Sequence, residues 1–340
     1  MRNTLCALLA LLCCQFTFAQ QDETLLNLGV ETRADYQREY IDGDAIKDNC
    51  GFKGQYLNIR MDGQFNDKLS YSYRQRLNKA HKDASFFDAT DWIYLKYQMD
   101  EHWAVSAGKQ VVAIGGYEYD RAPIDLYFCS EYWNQIPCYQ FGLNLTYTFN
   151  EGNDQLLAQI CESPFNLPGK DMYAYNLLWY GSHDWFNTIY SVNMIECMPG
   201  EFINYITLGN KFNVGDFSLE LDVMNRAVRN QAFLFNDFSV MGELSYAASD
   251  KWNIFAKATY DVSNTDKPGD YCVMPGTEVT RVGAGVESFP LGGGNKNVRL
   301  HAAFCQTFGD NGNPAGALLD EQSMVSLGLK WKINLLSFKK

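Results

Sequence analysis

Four histidines, His81, His102, His183 and His301, are the side chains best suited to act as a base near neutral pH. A hydrolase would need one of them beside an activated nucleophile. His102 and His183 fall in short polar turns, and His81 lies in a longer connection, so solvation is the expected role of all three. His301 sits in an alternating apolar/polar segment with no serine close by in sequence, and no catalytic group is expected. The glycine-rich stretch from Pro290 to Lys296 lacks the GxxxxGK[ST] spacing of a phosphate loop and no helix follows it, so it reads as a turn. Asp310-Asn-Gly-Asn313 has oxygen donors for calcium but reads first as an ordinary polar loop. The cysteines form no CxxC and no zinc-ligand spacing with histidine, so neither a metal nor a cofactor is expected.

Of ten cysteines, Cys6, Cys13 and Cys14 fall in the first twenty residues, leaving an odd number to the rest of the chain. Cys129 and Cys138 share one long connection and form the best-placed disulfide; free, half-buried thiols are an equal alternative. The formal charge of −12 argues against nucleic acid as a partner, because phosphate binding needs a basic face.

The remaining charges follow a rule. Phe141, Leu143, Leu145, Tyr147 and Phe149 alternate with small or polar residues, as do Phe217, Leu219, Leu221 and Val223 with Ser218, Glu220 and Asp222. Val325 to Leu335 repeats the pattern around Lys330 and Lys332. Period-two alternation is the mark of strands with two unlike faces. About sixteen such segments follow one another, centred near residues 30, 59, 73, 94, 107, 145, 158, 177, 191, 207, 221, 243, 258, 284, 303 and 330. Most run ~9–11 residues, the length of a tilted membrane-crossing strand, and their connections alternate short and long. Two joints fit that alternation less well: 197–201 is short where a long one is expected, and 290–297 is long for a turn.

One face of these strands is apolar or aromatic, whereas the other carries Glu31, Arg33, Asp62, Arg74, Arg76, Glu220, Asp222, Glu243, Lys257, Asp261, Glu287, Arg299 and Lys330. A soluble barrel would bury those charges at several kcal/mol each; a water-filled lumen removes that cost. The pattern therefore predicts an all-β, transmembrane antiparallel barrel of about sixteen strands, with lipid outside and solutes or ions inside. Trp92, Tyr97, Trp103, Trp179, Tyr180, Trp185, Phe186 and Trp252, near strand ends, are expected in the interfacial aromatic girdles.

Arg2, the apolar run from Leu5 to Cys14 and small residues at Thr17 and Ala19 predict a signal peptide over 1–19, cut before Gln20. Export to a bacterial outer membrane follows, with the barrel formed by residues 20–340.

The hairpin from Asp91 to Gln110, ending Ala-Gly-Lys-Gln and running into Val-Val-Ala-Ile-Gly-Gly-Tyr-Glu, resembles the phosphate-selective porin O and P family. The strand from Phe141 to Phe149 is also similar, so the specific likeness covers about residues 91 to 149. That resemblance implies a sixteen-stranded homotrimeric outer-membrane channel, with Lys109 as the basic residue of the family motif. Phosphate selectivity in that family goes with basic pore residues. Here the connection 113–138, the third long loop, holds Glu118, Asp120, Asp125 and Glu131 against one arginine, Arg121.

Its six aromatics, Tyr117, Tyr119, Tyr127, Phe128, Tyr132 and Trp133, would be costly to leave in water, so this loop is expected to fold into the lumen as a constriction. Arg33, Arg60, Arg74 and Arg76 are expected on the pore wall, facing the acidic loop across a transverse field. A passive, weakly selective channel for small polar or charged solutes is the function expected. The alternatives are an anion- or phosphate-selective channel, or an adhesin-like surface barrel without transport.

Overall fold

The computed structural model describes residues 24–79, 85–228, 231, 234–265, 269–314 and 321–339. The signal peptide with its cleavage point, and His81, lie outside the described residues.

Alternation of apolar and polar residues gives strands almost throughout. They are β1 (Thr24–Ile41), β2 (Asp44–Ala45), β3 (Gly51–Asn66), β4 (Leu69–Arg76), β5 (Thr90–Gln98) and β6 (Trp103–Val111). There follow β7 (Tyr139–Phe149), β8 (Asp154–Glu162), β9 (Tyr173–His183), β10 (Phe186–Met198), β11 (Glu201–Val214) and β12 (Phe217–Val228). The last are β13 (Asp237–Ala247), β14 (Trp252–Ser263), β15 (Glu278–Ser288), β16 (Val298–Asp310) and β17 (Gln322–Lys339). The two-residue β2 merely folds back on the end of β1. The other sixteen each pair antiparallel with their sequence neighbours. The ring closes where β1 pairs β17, from Thr24↔Lys339 to Tyr40↔Ser323. Closure removes sheet edges, which hydrocarbon could not hydrogen-bond.

The predicted strand centres fall within their strands, but several strands are longer than expected; β1 and β17 have 18 residues each. Tight joints at 67–68, 184–185 and 215–216 gather at one end of the barrel, with 289–297 as its long member. The opposite end carries the long connections, and 199–200 is its short exception.

Burial is inverted relative to a soluble protein. On β7, Leu143 is 53% exposed and its neighbour Asn144 only 9%. The same holds for Leu177 beside Asn176, Val192 beside Asn193, Leu221 beside Asp222 and Leu327 beside Ser326. Each Leu-sized side chain left in water forgoes about 1.5–3 kcal/mol, and an apolar belt this extensive is the exterior of an outer-membrane-type barrel. No helix among the described residues is long and apolar enough to cross a membrane; the strands do so.

Outward aromatics do collect at the short-turn end. Trp103 packs on Tyr147 (4.6 Å between ring centroids), Phe217 on Tyr246 (4.6 Å) and Trp185 on Phe212 (6.1 Å). Two of the expected girdle residues lie inside instead. Trp92 is buried, its indole donating to Ser72 (2.7 Å) beneath the Arg74 guanidinium (3.8 Å). Tyr180 projects inward to Asp120 (3.1 Å). In both cases an inward polar partner outweighs position near a strand end.

Candidate functional site: a lumen spanned by segment 112–138

The interior wall changes chemistry around its circumference. Across β6–β10 it is neutral, a chain of side-chain amides in which Asn144 donates to Gln110 (3.0 Å) and Gln159 to Asn144 (2.9 Å). Asn176 then donates to Gln159 and Asn193 to Asn176, both at 2.8 Å. This chain also grips the start of the long segment 112–138: Ala113 N donates to Gln159 (2.7 Å) and Gly115 N to Ser191 Oγ (2.8 Å).

The rest of the segment crosses the interior on the charged wall. Two short α-helical turns in it, α1 (Tyr117–Asp120) and α2 (Glu131–Gln135), each start on an inward carboxylate. Asp222 accepts from Tyr117 N (2.9 Å) and Glu118 N (2.8 Å), while Asp261 accepts from Glu131 N (2.7 Å) and Tyr132 N (3.3 Å). Free N–H groups at a helix start suit an anion, so these wall acids satisfy donors that the short helices cannot.

Four of the segment's five charges are matched by opposite charges of the wall, Asp120 being the exception. Lys257 Nζ lies 2.6 Å from Glu118, Arg281 2.8 Å from Glu131 and Arg299 2.8 Å from Asp125, which Lys330 also contacts. Arg121 reaches Glu243 (2.7 Å) and Glu220. Burial raises the Asp125 carboxyl, but Arg299 and Lys330 overcome this and hold it well below the usual carboxylate range. Burial pushes the Asp120 carboxyl up, against the opposing Tyr180 hydroxyl bond. Tyr127 donates to Glu287 (2.6 Å), and Arg33 donates to the Ile124 (3.3 Å) and Leu126 carbonyls.

Apolar packing completes the seat. Tyr119, Tyr132 and Ile136 pack in one cluster with Tyr205 and Met224 of the wall and Cys272 and Val273 of connection 264–277. That connection is tied down by Asp270, which holds the fully buried Arg226 (2.6 Å); Arg226 also donates to Ser239 (2.6 Å) and Val262 O (2.9 Å). Close approach of the segment depends on glycine. Gly116 has φ +99°, and a Cβ on Gly209 would stand 2.8 Å from the Gly116 Cα. Gly209→Val should therefore lift this corner at a cost of about 1–3 kcal/mol. Limited proteolysis of the folded variant should cut within 112–138 faster than in wild type; equal rates would show that the contact is dispensable.

The arginines of the early strands do not look across at unpaired acids, as the sequence suggested. Arg33 pairs with Asp35 (2.7 Å), Arg60 with Asp62 (2.6 Å), and Arg74 and Arg76 share Asp91 (2.7 and 2.9 Å). In a partly dehydrated interior an isolated charge is costly, so each finds a partner on the same wall. Lys109 faces outward, between the exposed Ile93 and Phe141 in the strand register, with its ammonium on the Phe87 carbonyl (2.6 Å). Cys129 and Cys138 are not joined: both are free thiols, Cys129 donating to Asn134 (3.0 Å) and Cys138 to Ile136 O (3.3 Å). Arg281 and Arg226 were missed in the sequence, although each lies two residues along from inward positions, before Gly283 and after Met224.

His301 meets a serine and an aspartate after all, both brought from distant strands. Its Nε2 lies 3.3 Å from Ser326 Oγ and 3.5 Å from Asp35. Both partners share one ring nitrogen, leaving Nδ1 without a hydrogen bond, and the group is buried. A relay from serine through imidazole to carboxylate uses both nitrogens, so this group lacks the relay geometry and ties β1, β16 and β17 together.

A closed antiparallel barrel with an apolar exterior and a charged, hydrogen-bonded interior defines an outer-membrane porin, a passive diffusion channel. The model of the phosphate-selective porin O and P family matches residues 26–179, so the chain carries that family's sequence signature from β1 into β9. No curated protein sequence matches it. Among solved structures, the anion-selective porin from Comamonas acidovorans is similar at a TM-score of 0.64 and 11% identity, covering 92% of this chain and 100% of that one. Outer-membrane expressed OmpT of Vibrio cholerae gives 0.63 at 12% identity, covering 93% and 99%. Salmonella typhi OmpF in complex with daunomycin gives 0.61 at 12% identity, covering 91% and 97%. At such identities the likeness bears on the fold.

Proposed function

We propose that the barrel is a weakly selective channel for small polar or charged solutes, narrowed by segment 112–138. The observation that carries this reading is local compensation: apart from Asp120, the charges of that segment and of the arginine-bearing wall are met by opposite charges nearby. A pore so lined has polar surface for water and solutes but no long run of one sign to select an ion. The long connections face the cell exterior and both termini the periplasm, the usual arrangement for such barrels. Residues 1–19 are removed on export. The protein assembles as a homotrimer; a trimer form is recorded for the structurally similar OmpT of Vibrio cholerae. Reconstitution of the folded protein into planar bilayers tests the reading: regular stepwise conductance supports it, and silence from well-folded protein favours the adhesin-like alternative. A milder anion preference has one observation behind it, since Arg74 and Arg76 share the single carboxylate of Asp91.

A further inference from the structure

A cavity of about 320 Å³ opens between segment 112–138 and the wall formed by β1, β3 and β15–β17. Its position towards the ends of β1 and β17 that adjoin the long connections makes it a chamber beside the solute path. One side is apolar and aromatic, formed by Leu126, Tyr127, Phe128 and Trp133 of the segment. The other side is a row of side-chain amides around one carboxylate. Gln55 donates to Gln37 (3.0 Å), Gln37 donates to Glu39, and Gln322 donates to Glu39 (3.3 Å). The charges of the two cations bordering the chamber are each paired with an acid, Arg33 with Asp35 and Arg281 with Glu131. Three polar atoms on its lining residues, Gln322 Oε1, Trp133 Nε1 and Arg281 Nη1, have no hydrogen-bond partner in the protein.

From this lining we infer that the chamber is a binding subsite for a neutral sugar of one or two rings, a deepening that rests on the channel reading above. An inorganic anion would find no unpaired cation there and would face the Glu39 carboxylate. A wholly apolar solute would leave the amides unanswered. A pyranose satisfies both sides: its C–H face lies on aromatic rings, and its hydroxyls donate and accept as the amides do. The volume falls in the ~300–1,000 Å³ range of small-molecule sites.

The test uses the full-length folded protein with maltose as probe. In planar bilayers in potassium chloride, maltose should reduce the current saturably, with half-saturation at about 1–10 mM. Inorganic phosphate at the same concentrations should not. Trp133→Ala and Gln322→Ala should each weaken the block about tenfold. Independently of conduction, maltose should change the tryptophan fluorescence of detergent-solubilised wild type, and Trp133→Phe, which keeps a ring in the seat, should lose that change. Normal channels with neither block nor fluorescence change would overturn the inference and leave the channel reading standing. Block by phosphate in preference to maltose would also overturn it. A fluorescence response from a protein that forms no channels would uphold the chamber and sink the channel reading.

Discussion

Deleting residues 117–133 should raise single-channel conductance by at least about twofold in protein that still assembles. The segment removed carries α1, the first three residues of α2 and the six aromatics, and it crosses the interior between wall groups on β9–β17 and β1. Conductance of a water-filled pore is set by its narrowest cross-section, so emptying that section should dominate any change elsewhere. The barrel itself should survive, because the strand ladders and the β1–β17 closure do not involve the segment. The deletion does strand Lys257, Asp222 and Asp261, now facing water rather than partners, which a hydrated lumen tolerates. Single-channel recording, with heat-modifiable gel migration as the check on folding, measures the effect. An unchanged conductance in folded deletion protein would mean that the solute path bypasses the segment.

The second large effect is on selectivity. The triple variant Glu118→Gln, Asp120→Asn and Asp125→Asn should shift permeability towards anions by roughly three- to tenfold. Its cause differs from a simple loss of acidic wall. Glu118 and Asp125 neutralise Lys257, Arg299 and Lys330, so removing them uncovers positive charge within the lumen. A unit charge ~8 Å from an ion at an effective dielectric of ~20 contributes about 2 kcal/mol, enough to bias permeation without blocking it. Asp120 accepts from the Tyr180 hydroxyl rather than from a cation, so its share should be the smallest. Reversal potentials in a salt gradient read the shift; no movement would show that these pairs lie off the solute path.

The barrel was legible because alternation is a local property: every strand centre and the order of short and long joints could be counted along the chain. The inward set was legible for the same reason, as Asp222, Lys257 and Arg299 show. Pairing was not, because it depends on which distant strands the ring brings together. Arg33 with Asp35 is two residues apart and could have been guessed, whereas Arg281 with Glu131 spans 150 residues. That is why an acidic loop facing an arginine wall seemed to follow from composition, while the folded chain compensates most of these charges in place. Lys109 could have been placed by parity. It shares the outward face with Ala107 and Val105, and its ammonium escapes that apolar face by reaching a loop carbonyl. The cysteine pair failed for a different reason: nine residues of separation say nothing of where the segment turns, and each thiol settles beside its own neighbours.

The most direct measurement is the reversal potential of wild-type protein across a potassium chloride gradient in planar bilayers, followed by addition of phosphate. Locally compensated charge predicts regular conductance steps, a reversal potential well short of the limiting value for either ion, and no phosphate block of the chloride current at micromolar levels. A reversal potential close to the anion limit, with phosphate blocking at micromolar levels, would contradict the account and assign this barrel the phosphate selectivity for which the matched family is described.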